Sequence, residues 1–476
     1  MDLTTDGAVS PLLVLAPGFT PVNSVVASIP LGYSPGPGTY DPANGELYVP
    51  VDGTSNISVI STATNTVVGE IQVGQGPTRP ALDLATGELF VVNVNSGNIS
   101  IISTASNSVL ASLPAGGIPF QIFPAIFDSV NGEAYVVNPL SSNLTILSGV
   151  TNSVVGYLNV SSYPLDPMVD PANGDLYLPL VGTSNVSVLS EQTNAIVATI
   201  PVGSDPQTPA YDTENGDVYV ANDLSSNVSV ISSTTNRIVA TIPVGTDPIS
   251  PVYDAANDCI YEANYGSNNV SVISGATNRV VATVAVGDSP QTPTVDPATG
   301  AVYVPNSAGS NVSVISGRTN TLMGSIAVGA LPQPSAFDPE NGAIYVVASS
   351  AGVVSVIEGG FSITVSESGL PAGSSWSAMV DGALSSTNGS SVVFVDAPGT
   401  YSFQVLAVPG YGVTPSVGSV IVDQDIVLAA QFTPVPPSVP PGQPLWGGYG
   451  TWVGVSLVIG SAALGFGLAV IFLRRK

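Results

Sequence analysis

Residues 215–245 read "NGDVYVANDLSSNVSVISSTTNRIVATIPVG", and residues 257–287 return to nearly the same sequence as "NDCIYEANYGSNNVSVISGATNRVVATVAVG". Short runs of Val, Ile, Thr and Tyr alternate with segments of Asn, Gly, Ser and Asp, a pattern typical of short β-strands joined by tight turns. Because repetition at a fixed period is the signature of a repeat architecture, the number and spacing of the copies decide the fold.

Each copy contains a D-x-x-N/T-G turn, which provides a fixed point for counting. The Asp of this turn is found at Asp41, Asp83, Asp128, Asp170, Asp212, Asp254, Asp296 and Asp338. One interval spans 45 residues and the others span 42, while the sixth copy reads "DAAND" and lacks the Gly. A period of about 40 to 45 residues containing several short strands is the length of one propeller blade.

Every unit is predicted to form four strands, A to D. In one copy strand A is "QTPAYD", strand B "DVYVAN", strand C "NVSVIS" and strand D "RIVATIPVG". Strand A often carries Pro three residues before the turn Asp, at Pro80, Pro167, Pro209, Pro251 and Pro293. Since Pro lacks the N–H that a central strand needs, strand A is expected at the inner edge of a blade, facing a central channel.

Strands A, B and C each occur eight times, but the first strand D, "NSVVASIPLG" at 23–32, precedes every strand A. The last unit ends after strand C, near Glu358. The first strand is therefore predicted to complete the last unit, which closes a ring and removes an open sheet edge. The fold class is all-β, with an eight-bladed β-propeller of four strands per blade over residues 23–358. A seven-bladed ring with one irregular unit is the alternative.

The phrase "VYVAN…NVSVISSTTNRIVATIPVG" resembles the YVTN family of β-propeller repeats, which occur in surface-layer and cell-surface proteins of archaea. That family usually ends strand B in Thr-Asn, whereas here only the Asn is kept in most copies, at Asn93, Asn138, Asn222 and Asn264. The resemblance implies a propeller at a cell surface. The missing Thr changes the end of strand B and not the fold.

The period breaks after the eighth unit. Residues 361–433 show six or seven short alternating runs, which predict a small Ig-like β-sandwich without the Cys pair of true Ig domains. Residues 434–450 form a Pro/Gly-rich linker that includes "PPSVPPGQP".

Residues 451–473 contain no charged side chain and are long enough to cross a bilayer as a helix. Trp446, Tyr449 and Trp452 lie at one end, and residues 474–476 supply a basic tail predicted to be cytoplasmic. The N-terminal domains are therefore expected outside the cell membrane. Residues 1–22 contain "PLLVLAPGF", a possible signal remnant without the usual charged residues before it.

Composition excludes several function classes. The chain has 476 residues, of which 8% are charged, and its net charge is −26. Seven Lys and Arg cannot form the basic surface that nucleic acid requires. Without His, a Ser-His-Asp triad and a His-bound metal are impossible. The sparse titratable groups favour an acid-adapted rather than a salt-adapted surface, and no metal, cofactor or catalytic residue is predicted.

Two interpretations remain open for the many N-x-S/T motifs. As glycosylation acceptors they would ring one face of the propeller; alternatively, the Asn closes the B–C loop and the Ser faces outward on strand C. The acceptor residues are Asn56, Asn98, Asn143, Asn159, Asn185, Asn227, Asn269, Asn311 and Asn388. The D-x-x-N-G turns lack the ligand ladder of a calcium loop, so their Asp is interpreted as a turn cap. Cys259, the one cysteine, is interpreted as an ordinary strand residue, with a reactive thiol as the alternative.

A polar or weak cation site is predicted at the channel mouth, with solvated loop residues as the alternative. Its candidate residues lie in the D–A loops and the A strands: Arg79, Gln121, Asp166, Asp205, Gln207, Asp247, Asp288, Gln291 and Gln333.

The favoured function is a membrane-anchored cell-surface glycoprotein that presents a propeller for adhesion, envelope structure or glycan or protein binding. The alternative is an extracellular propeller enzyme, lactonase- or hydrolase-like, that uses channel carboxylates. A quinone-dependent dehydrogenase is disfavoured because all three Trp lie outside the repeats. The sequence names neither the ligand nor the oligomeric state.

Overall fold

A computed structural model describes residues 24–116, 124–161, 163–359, 361–396, 399–422 and 426–435. The predicted signal remnant, the channel candidate Gln121, most of the linker, the membrane helix 451–473 and the basic tail lie outside these residues. Within the described part of the chain, no helix has the length and apolar character that crossing a bilayer requires.

Residues 24–358 form eight four-stranded antiparallel sheets, numbered here by the order of their A strands. Strands A to D of sheet 1 are β2 (Thr39–Asp41), β3 (Glu46–Val51), β4 (Asn56–Ser61) and β5 (Thr66–Gln72). Those of sheet 2 are β6 (Ala81–Asp83), β7 (Glu88–Asn93), β8 (Asn98–Ser103) and β9 (Ser108–Pro114). Those of sheet 3 are β10 (Ala125–Asp128), β11 (Glu133–Asn138), β12 (Asn143–Ser148) and β13 (Ser153–Asn159). Those of sheet 4 are β14 (Met168–Val169), β15 (Leu176–Leu180), β16 (Asn185–Ser190) and β17 (Ala195–Pro201).

The second half of the ring repeats this arrangement. Sheet 5 contains β18 (Ala210–Tyr211), β19 (Asp217–Asn222), β20 (Asn227–Ser232) and β21 (Arg237–Pro243). Sheet 6 contains β22 (Val252–Asp254), β23 (Cys259–Asn264), β24 (Asn269–Ser274) and β25 (Arg279–Ala285). Sheet 7 contains β26 (Thr294–Asp296), β27 (Ala301–Asn306), β28 (Asn311–Ser316) and β29 (Thr321–Ala327). Sheet 8 contains β30 (Ala336–Asp338), β31 (Ala343–Ala348), β32 (Val353–Glu358) and, as strand D, β1 (Ser24–Pro30). Single 3-10 turns follow strand B in sheets 1, 4 and 5, at Asp52–Thr54, Val181–Thr183 and Asp223–Ser225.

The first strand completes the last sheet, as the strand count predicts. β1 pairs antiparallel with β32 from Ser24↔Glu358 to Pro30↔Val353. At the inner side, β30 of sheet 8 contacts β2 of sheet 1, just as β2 contacts β6. The two ends of the repeat array therefore meet, and sheet 8 has its full set of strands.

The D-x-x-N-G turns have the predicted geometry. In every sheet the turn Asp is buried and its Oδ1 accepts the backbone N–H two residues later, as between Asp212 and Glu214 at 2.9 Å. The Gly of the turn takes a positive φ, and in the sixth copy Asp258 takes its place at φ 53°. The Asp is thus a structural cap.

Tyr side chains tie neighbouring sheets together, a role that the strand pattern did not predict. The hydroxyl of the strand-B Tyr reaches the Asn that ends the C–D turn of the next sheet, at 2.6 to 2.9 Å. The pairs are Tyr48–Asn107, Tyr135–Asn194, Tyr177–Asn236, Tyr219–Asn278, Tyr261–Asn320 and Tyr345–Asn65. The last pair joins sheet 8 to sheet 1 and so spans the closure.

The hydrophobic core lies between the faces of neighbouring sheets. Phe90 of sheet 2 packs with Val136 of sheet 3, and Val49 of sheet 1 packs with Val347 of sheet 8. Strands B and C are buried on both faces, whereas the outer strand D alternates between exposed and partly buried residues. The strands nearest the centre of each sheet therefore carry most of the packing.

The C-terminal domain is a sandwich of two four-stranded sheets. Its strands are β33 (Phe361–Ser368), β34 (Trp376–Val380), β35 (Ala383–Thr387), β36 (Ser391–Asp396), β37 (Gly399–Val405), β38 (Tyr411–Thr414), β39 (Val417–Val422) and β40 (Ile426–Pro434). The prediction of six or seven strands is wrong, because the polar run at β35 forms a hairpin with β34. One sheet has the order β36-β33-β40-β38, with β33 and β40 parallel, and the other has the order β35-β34-β37-β39.

Candidate functional site

One repeat position lies just before each A strand, which is the innermost strand of its sheet. It lies four residues before the turn Asp, and its occupants, here called the channel ring, are Pro37, Arg79, Pro124, Asp166, Thr208, Ser250, Thr292 and Pro334. Arg79, Thr292 and Pro334 line a common cavity. The ring thus combines one cation, one carboxylate, three hydroxyls and three prolines.

This cavity has a volume of about 670 Å³, which lies within the range of small-molecule sites. Residues from sheets 1, 2, 6, 7 and 8 line it, and none of its lining residues comes from sheets 3, 4 and 5. Tyr40, Tyr253 and Phe337 supply aromatic surface, and Thr292 and Ser335 supply hydroxyls. Arg79 is the one cation among the described residues that line it.

Arg79 and Asp166 influence the ionisation of each other. The positive charge of Arg79 lowers the pKa of Asp166, but burial is the larger effect and raises that pKa to about 7. Burial also lowers the pKa of Arg79, while Asp166 opposes that shift. Arg79 is nevertheless accessible to solvent, since a narrow channel is open to water and at the same time enclosed by protein atoms.

These two side chains have no hydrogen-bond or ion-pair partner among the described residues. Within the same part of the chain, Asp166 Oδ1 is buried without a partner. Asp166 belongs to the A-strand segment of sheet 4 and Arg79 to that of sheet 2, so sheet 3 stands between them.

The three described candidate glutamines form hydrogen bonds within the loops, and their side-chain amides are not free donors toward the cavity. Their backbone N–H groups bind strand-B carbonyls. The side-chain amides turn back to nearby polar atoms: Gln207 to Asp205, Gln291 to Ser307 and Gln333 to Ser349. Gln333 also lines a separate cavity of about 330 Å³ with Ser34 and Thr78.

The acidic D–A loop residues do not line the large channel cavity. Asp205 and Asp247 take left-handed turn conformations at φ 58° and 52°. Asp247 and Asp288 are exposed, and Asp288 accepts a hydrogen bond from Asn268 at 3.1 Å. Of the nine predicted channel-mouth residues, Arg79 and Asp166 are the two that belong to the channel ring.

The N-x-S/T motifs of strand C are built into the sheets. The expectation that their Ser faces outward is wrong, because Ser58, Ser100, Thr145, Ser187, Ser229, Ser271 and Ser313 are all buried. In most sheets the Asn that ends strand B donates to this hydroxyl, as Asn222 does to Ser229 at 2.9 Å. Strand C is covered by protein on both faces, so its alternating residues are buried whichever face they lie on.

Most of the acceptor asparagines of strand C also make side-chain hydrogen bonds. Asn56 donates to Glu70, and Asn98 donates to Ser112. Asn227, Asn269 and Asn311 donate to carbonyls two residues earlier. By contrast, Asn159 at the end of β13 and Asn388 in the sandwich are exposed.

Glu262 is a buried acid that the sequence analysis missed. It occupies the strand-B position of Val220 and Val304 and has no exposed surface. Its Oε1 accepts the N–H of Ile249 at 2.9 Å, whereas Oε2 has no partner. Burial raises its pKa far above the usual range. A charged residue at an otherwise apolar repeat position was the signal that could have revealed it.

Cys259 is a buried strand residue, as predicted. Burial raises the pKa of its thiol, and a raised thiol pKa lowers nucleophilic reactivity. Among the described residues, no three Cys, Asp or Glu side chains gather closely enough to hold a metal ion.

Neither a protein-family model nor a curated protein sequence matches the chain. Among solved structures, it is similar to "Dihydro-heme d1 dehydrogenase NirN in complex with DHE", with a TM-score of 0.56 and 13% identity over 67% of this chain and 74% of that one. It is also similar to Kuenenia stuttgartiensis hydrazine synthase, with a TM-score of 0.48 and 16% identity over 60% of this chain and 95% of that one. At 13% identity the likeness to NirN shows the fold alone, and it agrees with the eight four-stranded sheets: the chain is a β-propeller protein.

Proposed function

We propose that the chain is a membrane-anchored cell-surface protein whose eight-bladed propeller presents a rigid face for adhesion, envelope structure or glycan or protein binding. The observation that carries the proposal is the closed ring, in which β1 completes sheet 8. Closure gives a stable platform without a free edge between the first and last sheets. The Ig-like sandwich, the Pro-rich linker and the apolar segment 451–473 would hold this platform outside the membrane.

Binding is favoured over catalysis by the chemistry of the wall. The chain has no His, and two of the eight channel-ring residues are ionisable. The many loop amides and hydroxyls suit polar recognition of a glycan or protein better than proton transfer.

Surface labelling of intact cells that express the full chain tests the location. An antibody to the propeller is expected to bind intact cells, and the protein is expected to leave the membrane fraction with detergent but not with high salt. Labelling that requires cell lysis, or release by salt alone, would contradict the proposal. Glycan-array and pull-down experiments with the same chain then identify the bound class.

One observation favours an extracellular enzyme as the second candidate. Burial raises the pKa of Asp166 to about 7, which suits a general acid or base at neutral pH. Hydrolysis of simple esters and lactones by the wild type, lost in Asp166→Asn but kept in Asp247→Asn, would support catalysis. The same low rate in all three proteins would reject it.

A further inference from the structure

One outer edge of the C-terminal sandwich is open to another chain. β39 (Val417–Val422) lies at the end of the sheet β35-β34-β37-β39, and no described strand pairs with its other side. Its sequence, "VGSVIV", contains no charged residue and no Pro, and it pairs with β37 in an unbroken register. Charges, Pro and β-bulges are the usual means by which an edge strand avoids pairing with another chain. β39 has none of them.

The other edge strands of the described chain differ from β39. Strand D of every propeller sheet carries a β-bulge where it pairs with strand C. The inner strands A are two to four residues long. In the sandwich, β38 has four residues, while the edges β35 and β36 contact each other. Among the described strands, β39 therefore combines length, regular pairing and the absence of charge at an open edge.

Alternate residues of β39 direct their backbone groups toward β37 and away from it. Val405 of β37 donates its N–H to the carbonyl of Ser416, just before β39, at 2.8 Å. Because the register with β37 is unbroken, this alternation continues along β39, and Val417, Ser419 and Ile421 direct their N–H and C=O groups to the open side. The edge thus offers donors and acceptors with the spacing that an antiparallel strand needs.

The side chains of the same residues form a stripe on the outer face of the sheet. Val417 and Ile421 are 65% and 67% exposed, and the exposed Ser419 lies between them. Val420 and Val422, on the opposite face of the strand, are buried in the sandwich core. The outer stripe therefore has an apolar residue, a serine and an apolar residue, in either direction along the strand.

We propose that β39 pairs with β39 of a second copy of this chain, antiparallel and centred on Ser419, so that two sheets become one. This register places Val417 of each copy opposite Ile421 of the other, and Ser419 opposite Ser419. The outward backbone groups of all three residues then have partners, and the Val–Ile pairs across the strands add apolar contact. The stripe fits itself across a two-fold axis, as an interface between identical chains requires.

This inference goes beyond the proposed surface role, since it concerns one edge of the sandwich and holds wherever the protein resides. Failure of surface labelling would leave it standing. Failure of dimerisation through β39 would leave the surface role standing.

A cysteine at the two-fold axis tests the proposed register in the purified full chain. In a Cys259→Ala background, Ser419→Cys brings two thiols together, because opposite residues of an antiparallel pair have Cα atoms about 5 Å apart, which suits a disulfide. The matched control is Ser402→Cys, since Ser402 lies opposite Ser419 on β37 and is also exposed. Its two copies would lie roughly 14 Å apart across three strand spacings. Mild oxidation is expected to give a covalent dimer with Ser419→Cys alone.

A like charge at the axis tests whether β39 supplies the binding energy. Ser419→Lys places two cations opposite each other, which opposes pairing, whereas Ser402→Lys places the same charge one strand away from the interface. Sedimentation equilibrium over about a hundredfold range of concentration should show a wild-type dimer that Ser419→Lys weakens roughly tenfold or more. Ser402→Lys should leave it unchanged. Thermal unfolding checks that each variant is folded, and Ser419→Glu replaces Ser419→Lys if that chain unfolds.

The proposal is overturned by any of three results. A wild type that stays monomeric would leave β39 free or available to a strand of a different protein. Equal yields of covalent dimer from Ser419→Cys and Ser402→Cys would indicate random collision. A folded Ser419→Lys chain that dimerises as tightly as the wild type would place the interface elsewhere in the chain.

Discussion

At the scale of single residues, Tyr–Asn hydrogen bonds give six of the interfaces between sheets a defined polar contact. Sheet 2 lacks the Tyr of this contact, because it carries Phe90 where the other sheets carry Tyr. Asn152, the expected acceptor in sheet 3, keeps a buried Oδ1 without a partner. Phe90 instead stacks on Phe127 with ring centroids 5.7 Å apart.

Phe90→Tyr is therefore expected to stabilise the protein. The added hydroxyl supplies the donor that Asn152 lacks, and a hydrogen bond of this kind contributes about 1 kcal/mol. Urea unfolding measures the change, and Tyr219→Phe, which removes the bond to Asn278, should lower the free energy of unfolding by a similar amount. A destabilised Phe90→Tyr chain would show that the Asn152 geometry differs from that of the other sheets.

Glu262→Val is expected to raise stability at pH 7 by about 1–2 kcal/mol, because it removes a buried acid with an unpartnered oxygen. Val220 and Val304 show that Val fits this position. The N–H of Ile249 keeps its bond to the Ala263 carbonyl at 3.1 Å, so the substitution leaves no orphan donor. Thermal unfolding at pH 4 and pH 8 should show the gain mainly at pH 8. A loss of stability at both values would contradict this account of Glu262.

At the scale of elements, the sequence predicted the strands well because each one has a simple signal. Strand A was placed at an inner edge by Pro80 and its equivalents, and strand B was recognised by its alternation. The side-chain direction in strand C could not be predicted, since alternation has a clear meaning only when one face of a strand is exposed. Strand C is buried on both faces, so Ser229 and its equivalents point inward.

Prediction of the site was weaker for a related reason. Arg79 and Asp166 occupy the same position of the repeat, four residues before the turn Asp, and the sequence alone shows this equivalence. Whether the loop residues Asp205, Asp247 and Asp288 turn toward the channel depends on turn conformation, which the sequence did not reveal. The partner of Glu262 is the N–H of Ile249, in the segment before strand A of the same sheet, so the contact depends on the conformation of that segment.

Glycan occupancy is expected to follow the accessibility of the acceptor elements. Mass spectrometry of glycopeptides from the native source should find Asn159 and Asn388 modified before the seven asparagines of strand C. Attachment of a glycan to Asn227, for example, would break the hydrogen bond that its amide donates to the Ser225 carbonyl. The glycan would then lie beside the buried Ser229. Full occupancy along strand C, with Asn159 and Asn388 bare, would contradict this expectation.

At the scale of the whole molecule, carboxyl groups make stability depend on pH. The pKa values of Asp128, Asp166, Asp254 and Glu262 are all raised, chiefly by burial. The folded chain therefore binds more protons than the unfolded chain above about pH 4, and stability falls as pH rises from there through about 7. Thermal unfolding should give a higher Tm at pH 4 than at pH 8, as an acid-adapted protein requires. Maximal stability at pH 8 would contradict the acid-adapted interpretation.

The closed ring places residues from the two ends of the propeller side by side, and a disulfide can report this directly. Ser28 of β1 faces Ser355 of β32 in the register, so a Ser28→Cys/Ser355→Cys chain, made in a Cys259→Ala background, brings two thiols together. Ser187 occupies in sheet 4 the strand-C position of Ser355, which makes Ser28→Cys/Ser187→Cys the matched control.

The decisive measurement is the free-thiol content of both folded double variants after mild oxidation. The account predicts that the Ser28/Ser355 pair forms an intramolecular disulfide and raises the Tm, while the Ser28/Ser187 pair keeps both thiols. Free thiols in the Ser28/Ser355 chain, or an equal yield of disulfide in the control, would show that the first strand does not close the ring.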